Sequence, residues 1–213
     1  MPRLKLGIKK NKYDITAIDI GGHNFNARTF NPLGMAKSNV GISEEQVGIN
    51  GLLSDFHDAL FRGLEDKNRN ISTNDLKRFI KERKLDDDMV VYGYEKDSSV
   101  FVDAFVKNYI ETKIISRLSS HRIKVYAKGM IYLFTGGGSN LLRPYLEEML
   151  EENKDYIVFS DTAKWDNCIS LMLNYLFNTH KDKKKIFETI CKEVDAKLSN
   201  EDKALNFSII GSI

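Results

Sequence analysis

The stretch Tyr13–Phe30, YDITAIDIGGHNFNARTF, decides the fold. Ile15, Ala17, Ile18 and Ile20 form a mostly apolar run, as expected of a strand buried on both faces. Phe25, Ala27 and Thr29 alternate with Asn24, Asn26 and Arg28, the period-two pattern of a second strand. Asp19-Ile20-Gly21-Gly22 closes the first strand. An ordinary hairpin needs a turn residue or two, but it has no need of a carboxylate beside two adjacent glycines. Glycines at such a corner supply backbone N–H donors to an anion. Asp19 cannot face that anion unaided, so its natural partner is a hydrated Mg2+ bridging to phosphate.

Outward from this corner, Asn31-Pro32-Leu33-Gly34 reads as a turn, and Met35 to Val40 as a third strand completing an antiparallel meander. Ser43, followed by Glu45 and Gln46, predicts a capped helix carrying Val47, Ile49, Leu52, Leu53, Phe56, Leu60 and Leu64. Ser72-Thr73-Asn74 caps a shorter helix with Leu76, Phe79 and Ile80 on one side. Met89 to Tyr94 reads as a short strand, and Asp97-Ser98-Ser99 opens a long helix reaching Leu118. The apolar strand Gly129–Thr135 runs into Gly136-Gly137-Gly138-Ser139-Asn140 and then a helix from Leu141 to Leu150, with Ser139 or Asn140 as its cap and Pro144 in its first turn. A short strand at Tyr156–Ser160 precedes an apolar helix, Ala163 to Phe177, and one further helix beyond Lys185. This order predicts one mixed sheet with helices packed on it.

The second glycine corner has its own physical reading. Three glycines let backbone approach a ligand without a Cβ clash, and the following helix presents unpaired N–H groups at its positive end. The corner suits a phosphate, or a nucleoside lying against the loop. Two such corners ending strands of one sheet point to a nucleotide more strongly than either does alone.

Composition narrows the alternatives. A chain of 213 residues, 42% hydrophobic and with three prolines, has the makeup of a globular protein with a sizeable core. A net charge of +2 is too weak to argue for nucleic acid. No apolar run approaches the ~20 residues of a membrane span, and the N-terminus lacks the apolar core of a signal peptide. Cys168 and Cys191 form no metal-ligand pattern and read as reduced, packed thiols, so a cytoplasmic protein with no membrane partner is expected. His57, His121 and His180 share no metal-binding spacing; Asp86 to Asp88 read as a solvated turn, and Lys181 to Lys185 as the basic opening of a helix.

Three segments resemble one superfamily. ITAIDIGGHNFNARTF (Ile15–Phe30) is similar to the second phosphate loop of the actin-like ATPases, and YLFTGGGSNLLRPYLEEM (Tyr132–Met149) to their adenosine loop. IVFSDTAKWDNCISLMLNYL (Ile157–Leu176) resembles the strand and last helix of the ParM-like, plasmid-segregating bacterial actins. The resemblance covers about Asp14 to Phe177. It implies a ribonuclease H-like α/β fold: a mixed five-stranded sheet with helices on both faces and a small helical insertion at about 66–96. Residues 1–178 would be the second domain of such a protein, and 179–213 a C-terminal helix and tail.

The resemblance also implies a site. Asp19 would act catalytically, near a water bound to the metal. Gly21, Gly22 and the backbone of His23, with Asn24 beside them, would hold the β- and γ-phosphates of ATP (or GTP) with Mg2+. His23 and Asn24 stand where many relatives have threonine; a histidine there can donate to a terminal phosphate, in a pH-dependent way. Gly136, Gly137, Gly138 and Ser139 would pack against the adenosine. Lys81 and Glu82, in LKRFIKERK (Leu76–Lys84), would reach base and ribose, although a charged pair on an amphipathic helix also reads as a solvated face. Expected partners are a first actin-like domain, missing from this sequence, further copies in a filament, and a DNA-binding adaptor. Hydrolysis in the superfamily draws on both domains, so ATPase activity is expected of the two-domain protein and is expected to be poor or absent in this chain alone. Two other readings stand beside this one: a sugar- or acid-kinase-type domain of the same superfold, and a non-catalytic interaction module that kept the fold.

Overall fold

A computed structural model describes residues 13–31, 36–65, 69–123, 125 and 130–160. The helix expected at 163–177, both cysteines, Lys181 to Lys185, His180 and the expected tail at 179–213 lie outside the described residues. Five strands form one sheet in the order β3-β2-β1-β4-β5: β1 (Asp14–Ile20), β2 (Asn24–Phe30), β3 (Ala36–Glu45), β4 (Met130–Thr135) and β5 (Ile157–Phe159). The first three make the expected antiparallel meander, and β4 and β5 add to it in parallel. Asp19 therefore has Asn26 of β2 on one side and Thr135 of β4 on the other.

Strand alternation sends Ile18 and Ile20 of β1, Phe25 and Ala27 of β2, Ile42 of β3, and Tyr132 and Phe134 of β4 into one core. Phe134 stacks on its β5 partner Phe159 with centroids 5.1 Å apart. On the same face Thr16 and Thr29, opposite each other and fully buried, share a hydroxyl–hydroxyl hydrogen bond of 2.8 Å. That bond answers the cost of burying two polar groups.

Helices α1 (Ile49–Gly63), α2 (Thr73–Glu82), α3 (Ser98–Tyr109), α4 (Ser116–Ser120) and α5 (Gly137–Met149) complete the core. Helix α1 contributes Leu52, Leu53, Phe56 and Leu60, and Phe56 packs on Phe101 and Phe105 of α3. Ser72 caps α2 in a capping box with Asp75, and Asp97 caps α3 through the Ser99 N–H at 2.9 Å, both as the sequence predicts. Between α3 and α4 the helix widens to π geometry over Ile110–Ile115, where Ile110, Ile114 and Ile115 are all buried.

Four local expectations are corrected. Ser43 does not start a helix: β3 runs on to Glu45 because Ser43 and Glu44 pair with Asn26 and Phe25, and the Ser43 hydroxyl donates to Asn26 Oδ1 at 2.7 Å instead of capping. The chain leaves the strand at Gln46, in left-handed conformation (φ 65°), and α1 begins at Ile49. Met89 to Tyr94 is no strand, only a single antiparallel bridge from Val91 to Leu64 that ties the ends of the α2 segment together. Helix α5 starts earlier than expected, with Gly136 as its cap. Pro144 consequently lies in the helix interior, on its exposed side, where water can serve the carbonyl it leaves unmatched.

Candidate functional site

The two glycine corners meet. They end adjacent parallel strands, at the carboxyl edge where open α/β sheets characteristically bind ligands. A Cβ placed on Gly136 would lie 2.3 Å from Asp19 Oδ1 and 2.5 Å from Ile20 O, and Gly136 has φ +84°. Only glycine fits that backbone and that distance. A Cβ on Gly138 would meet Ile49 Cγ1 at 2.5 Å and Ile20 O at 2.7 Å. These two glycines are buried, and they let the second corner close on the first. Gly137 differs: it is exposed, and a Cβ there would meet nothing within 4 Å. Ser139 is fully buried, its N–H donates to Gly136 O at 3.1 Å and its hydroxyl to Thr135 O, so the side chain serves the corner's own backbone.

The first corner is a tight turn, with the Gly21 N–H donating to Asn24 O at 2.9 Å. That amide is thereby committed within the turn. Gly22, His23 and Asn24 are exposed, and no described backbone bond takes the Gly22 or His23 amide. The turn's carbonyls point the other way: His23 O, Gly21 O and Gly22 O accept from the N–H groups of Gly48, Ile49 and Asn50 at 3.2, 3.0 and 2.8 Å. The start of α1 is thus capped by backbone from the turn. Those donors are spent, so any anion must use the other side of the turn or the start of α5.

Gly48 is buried under this turn; a Cβ would lie 2.6 Å from Gly21 O and 2.7 Å from Gly22 O. Tyr109 of α3 supports the same junction, its hydroxyl donating to Val47 O at 3.1 Å and Gly48 O at 3.3 Å. Burial, with a smaller contribution from Asp55, pushes the phenol up to about 12, so it remains a donor at any physiological pH. Nothing local in the sequence marks Gly48, Asn50 or Tyr109 as parts of this junction. The Gly48-Ile49-Asn50-Gly51 spacing is the one available signal, and it reads equally as a loop.

Lys81 and Glu82 are exposed in the last turn of α2, and Glu82 faces Arg78 at 3.8 Å. The neighbouring Ile80 ties α2 to α5, the helix that follows the second corner: its carbonyl accepts from the Tyr145 hydroxyl at 2.7 Å. Asp86 and Asp88 are bound by arginines: Arg78 reaches Asp86 at 2.7 Å and Arg69 reaches Asp88 at 2.7 Å. Arg78 holds the Asp86 carboxyl below the ordinary carboxylate range. This is an ion-pair cluster, in keeping with a solvated turn, and no metal-binding group of three acids, histidines or cysteines occurs among the described residues. No helix among the described residues is long and apolar enough to cross a membrane.

A hydrated Mg2+ fits this donor set. One carboxylate, Asp19, stands at the carboxyl edge beside exposed turn amides, an arrangement that suits an ion kept mostly by water and phosphate.

No protein-family model and no curated protein sequence matches the chain. Solved structures do. An archaeal actin homolog in complex with ADP superposes with a TM-score of 0.54 at 16% identity, over 79% of this chain and 51% of its own. The ParM filament protein of Clostridium botulinum gives 0.53 at 16%, over 77% and 46%. The actin-like protein Alp7A gives 0.53 at 18%, over 91% and 53%. The chain has the α/β fold of an actin-like ATPase domain, and it spans about half the length of the structures it matches.

Proposed function

We propose that this chain is the nucleotide-binding second domain of an actin-like, filament-forming ATPase that segregates plasmid DNA. The observation that carries the reading is the junction of the two glycine corners, with exposed Gly137 and the exposed Gly22–His23 turn flanking the carboxyl edge of β1 and β4. The fold shared with an archaeal actin homolog bound to ADP and with a ParM filament supports it.

In this reading the Gly22 and His23 amides hold the phosphates of ATP or GTP, Asn24 stands beside them, and Gly137 lies against the nucleoside. Lys81 and Glu82 reach base and ribose from α2. Asp19 holds a water of Mg2+, an ion that would neutralise phosphate charge. A first actin-like domain closes the cleft and supplies the rest of the hydrolytic site. Filament assembly, a DNA-binding adaptor and a cytoplasmic setting complete the proposal.

A second reading, the fold kept as an interaction module without nucleotide, is favoured by one observation: packing alone accounts for Gly136 and Gly138. Thermal unfolding with and without millimolar Mg-ATP separates the two. The nucleotide reading expects a rise of several degrees, reduced by Gly137→Val, since a ligand bound to the native state alone stabilises it. An unchanged midpoint favours the module.

A further inference from the structure

The side chain of Asn50 carries chemistry that the nucleotide reading leaves unused, and the role inferred for it rests on that reading. Asn50 is exposed in the first turn of α1, and its own N–H is held by Gly22 O. Its side-chain amide lies along the phosphate turn, with Oδ1 and Nδ2 at 3.9 and 4.0 Å from where a Cβ on Gly22 would stand. The same Nδ2 is 3.1 Å from Nε2 of His23 and 3.5 Å from Nδ1.

An amide nitrogen only donates. At 3.1 Å against 3.5 Å it favours Nε2 as the acceptor, which in a neutral imidazole places the proton on Nδ1. We infer that Asn50 is a positioning residue for His23, holding the neutral ring in its Nδ1–H form so that it donates to the terminal phosphate of a bound nucleoside triphosphate. A histidine fixed in this way need not be protonated to serve, so the preference for triphosphate over diphosphate persists above neutral pH. At the turn end of the sheet the strand register places Asp19 on β1 and Glu44 and Glu45 on β3, with Glu44 already paired to Arg117 at 3.1 Å. Asp14 and Lys37, paired with each other, lie at the opposite ends of β1 and β3, Arg28 lies late in β2, and Asp55, Asp58 and Arg62 lie further along α1. The first turn of α1 carries no acid.

Two measurements on the full chain test this. Ring nitrogen and carbon NMR shifts, with the four histidines assigned through His23→Gln, report the His23 tautomer without any ligand. The wild type is expected in the Nδ1–H form above neutral pH. Asn50→Asp, whose carboxylate only accepts, is expected in the Nε2–H form. The second measurement is the ratio of Mg-ATP to Mg-ADP affinity at about pH 6 and about pH 8. The wild type should keep its preference for Mg-ATP at about pH 8, whereas in Asn50→Asp the ratio should fall by about tenfold more than in the wild type as pH rises, the scale of one hydrogen bond to a charged acceptor. The ratio removes the general repulsion a new carboxylate exerts on both nucleotides.

A wild-type ring in the Nε2–H form, or Asn50→Asp following the wild-type pH profile, overturns the inference while leaving nucleotide binding intact. Failure of the wild type to bind either nucleotide overturns the nucleotide reading, and the phosphate role of His23 with it.

Discussion

At the scale of single residues, the three glycines of the second corner do different work. Gly136 and Gly138 are held by steric necessity, one against the Asp19 carboxylate and Ile20 O, the other against Ile49 and Ile20. Gly136→Ala combines a clash with a left-handed backbone and should cost about 2–4 kcal/mol, and Gly138→Ala about 1–3 kcal/mol. Gly137→Val should leave chemical denaturation within about 1 kcal/mol of wild type, because its side chain enters open space and valine is no poorer a helix former than glycine. Urea titrations of the three variants check the ordering. In the sequence these glycines look alike, three identical letters consistent with close approach to a ligand. What separates them is the position of Asp19 and Ile20 across the sheet, which only the parallel pairing of β1 with β4 fixes.

At the scale of elements, α1 and α2 contrast in how they begin. Ser72 and Asp75 cap α2 with side chains close in sequence, so its start was legible. Helix α1 is capped by carbonyls of the turn at 21–23, far away along the chain, and Ser43 offered a false local signal that strand pairing overrode. The α2 segment also has a pH dependence of its own. Arg78, with a smaller contribution from Arg69, lowers the Asp86 carboxyl below its ordinary value. A carboxylate lowered on folding stabilises the native state above its unfolded value, near ~3.9, and that contribution is lost as pH falls through the lower folded value. Wild type should therefore lose more stability than Asp86→Asn between about pH 5 and about pH 3. Urea midpoints across that window, with equal slopes for the two proteins, would show the opposite of what the ion pairs require.

At the scale of the whole molecule, the five-stranded mixed sheet was readable because β2 alternates with period two, β1 and β4 are short apolar runs, and the two glycine corners mark strand ends. The chain spans about half the length of the actin-like proteins that share its fold, so in the proposed function it presents one side of the nucleotide site. The most direct test is a calorimetric titration of Mg-ATP into the wild-type chain, Asp19→Ala and Gly137→Val. One site shared by both corners predicts measurable binding to the wild type, weakened about tenfold or more in each variant through loss of one charged contact or of the open surface at Gly137. Equal affinities in all three proteins, or no heat from the wild type at millimolar nucleotide, would contradict a nucleotide site at the junction of the two corners.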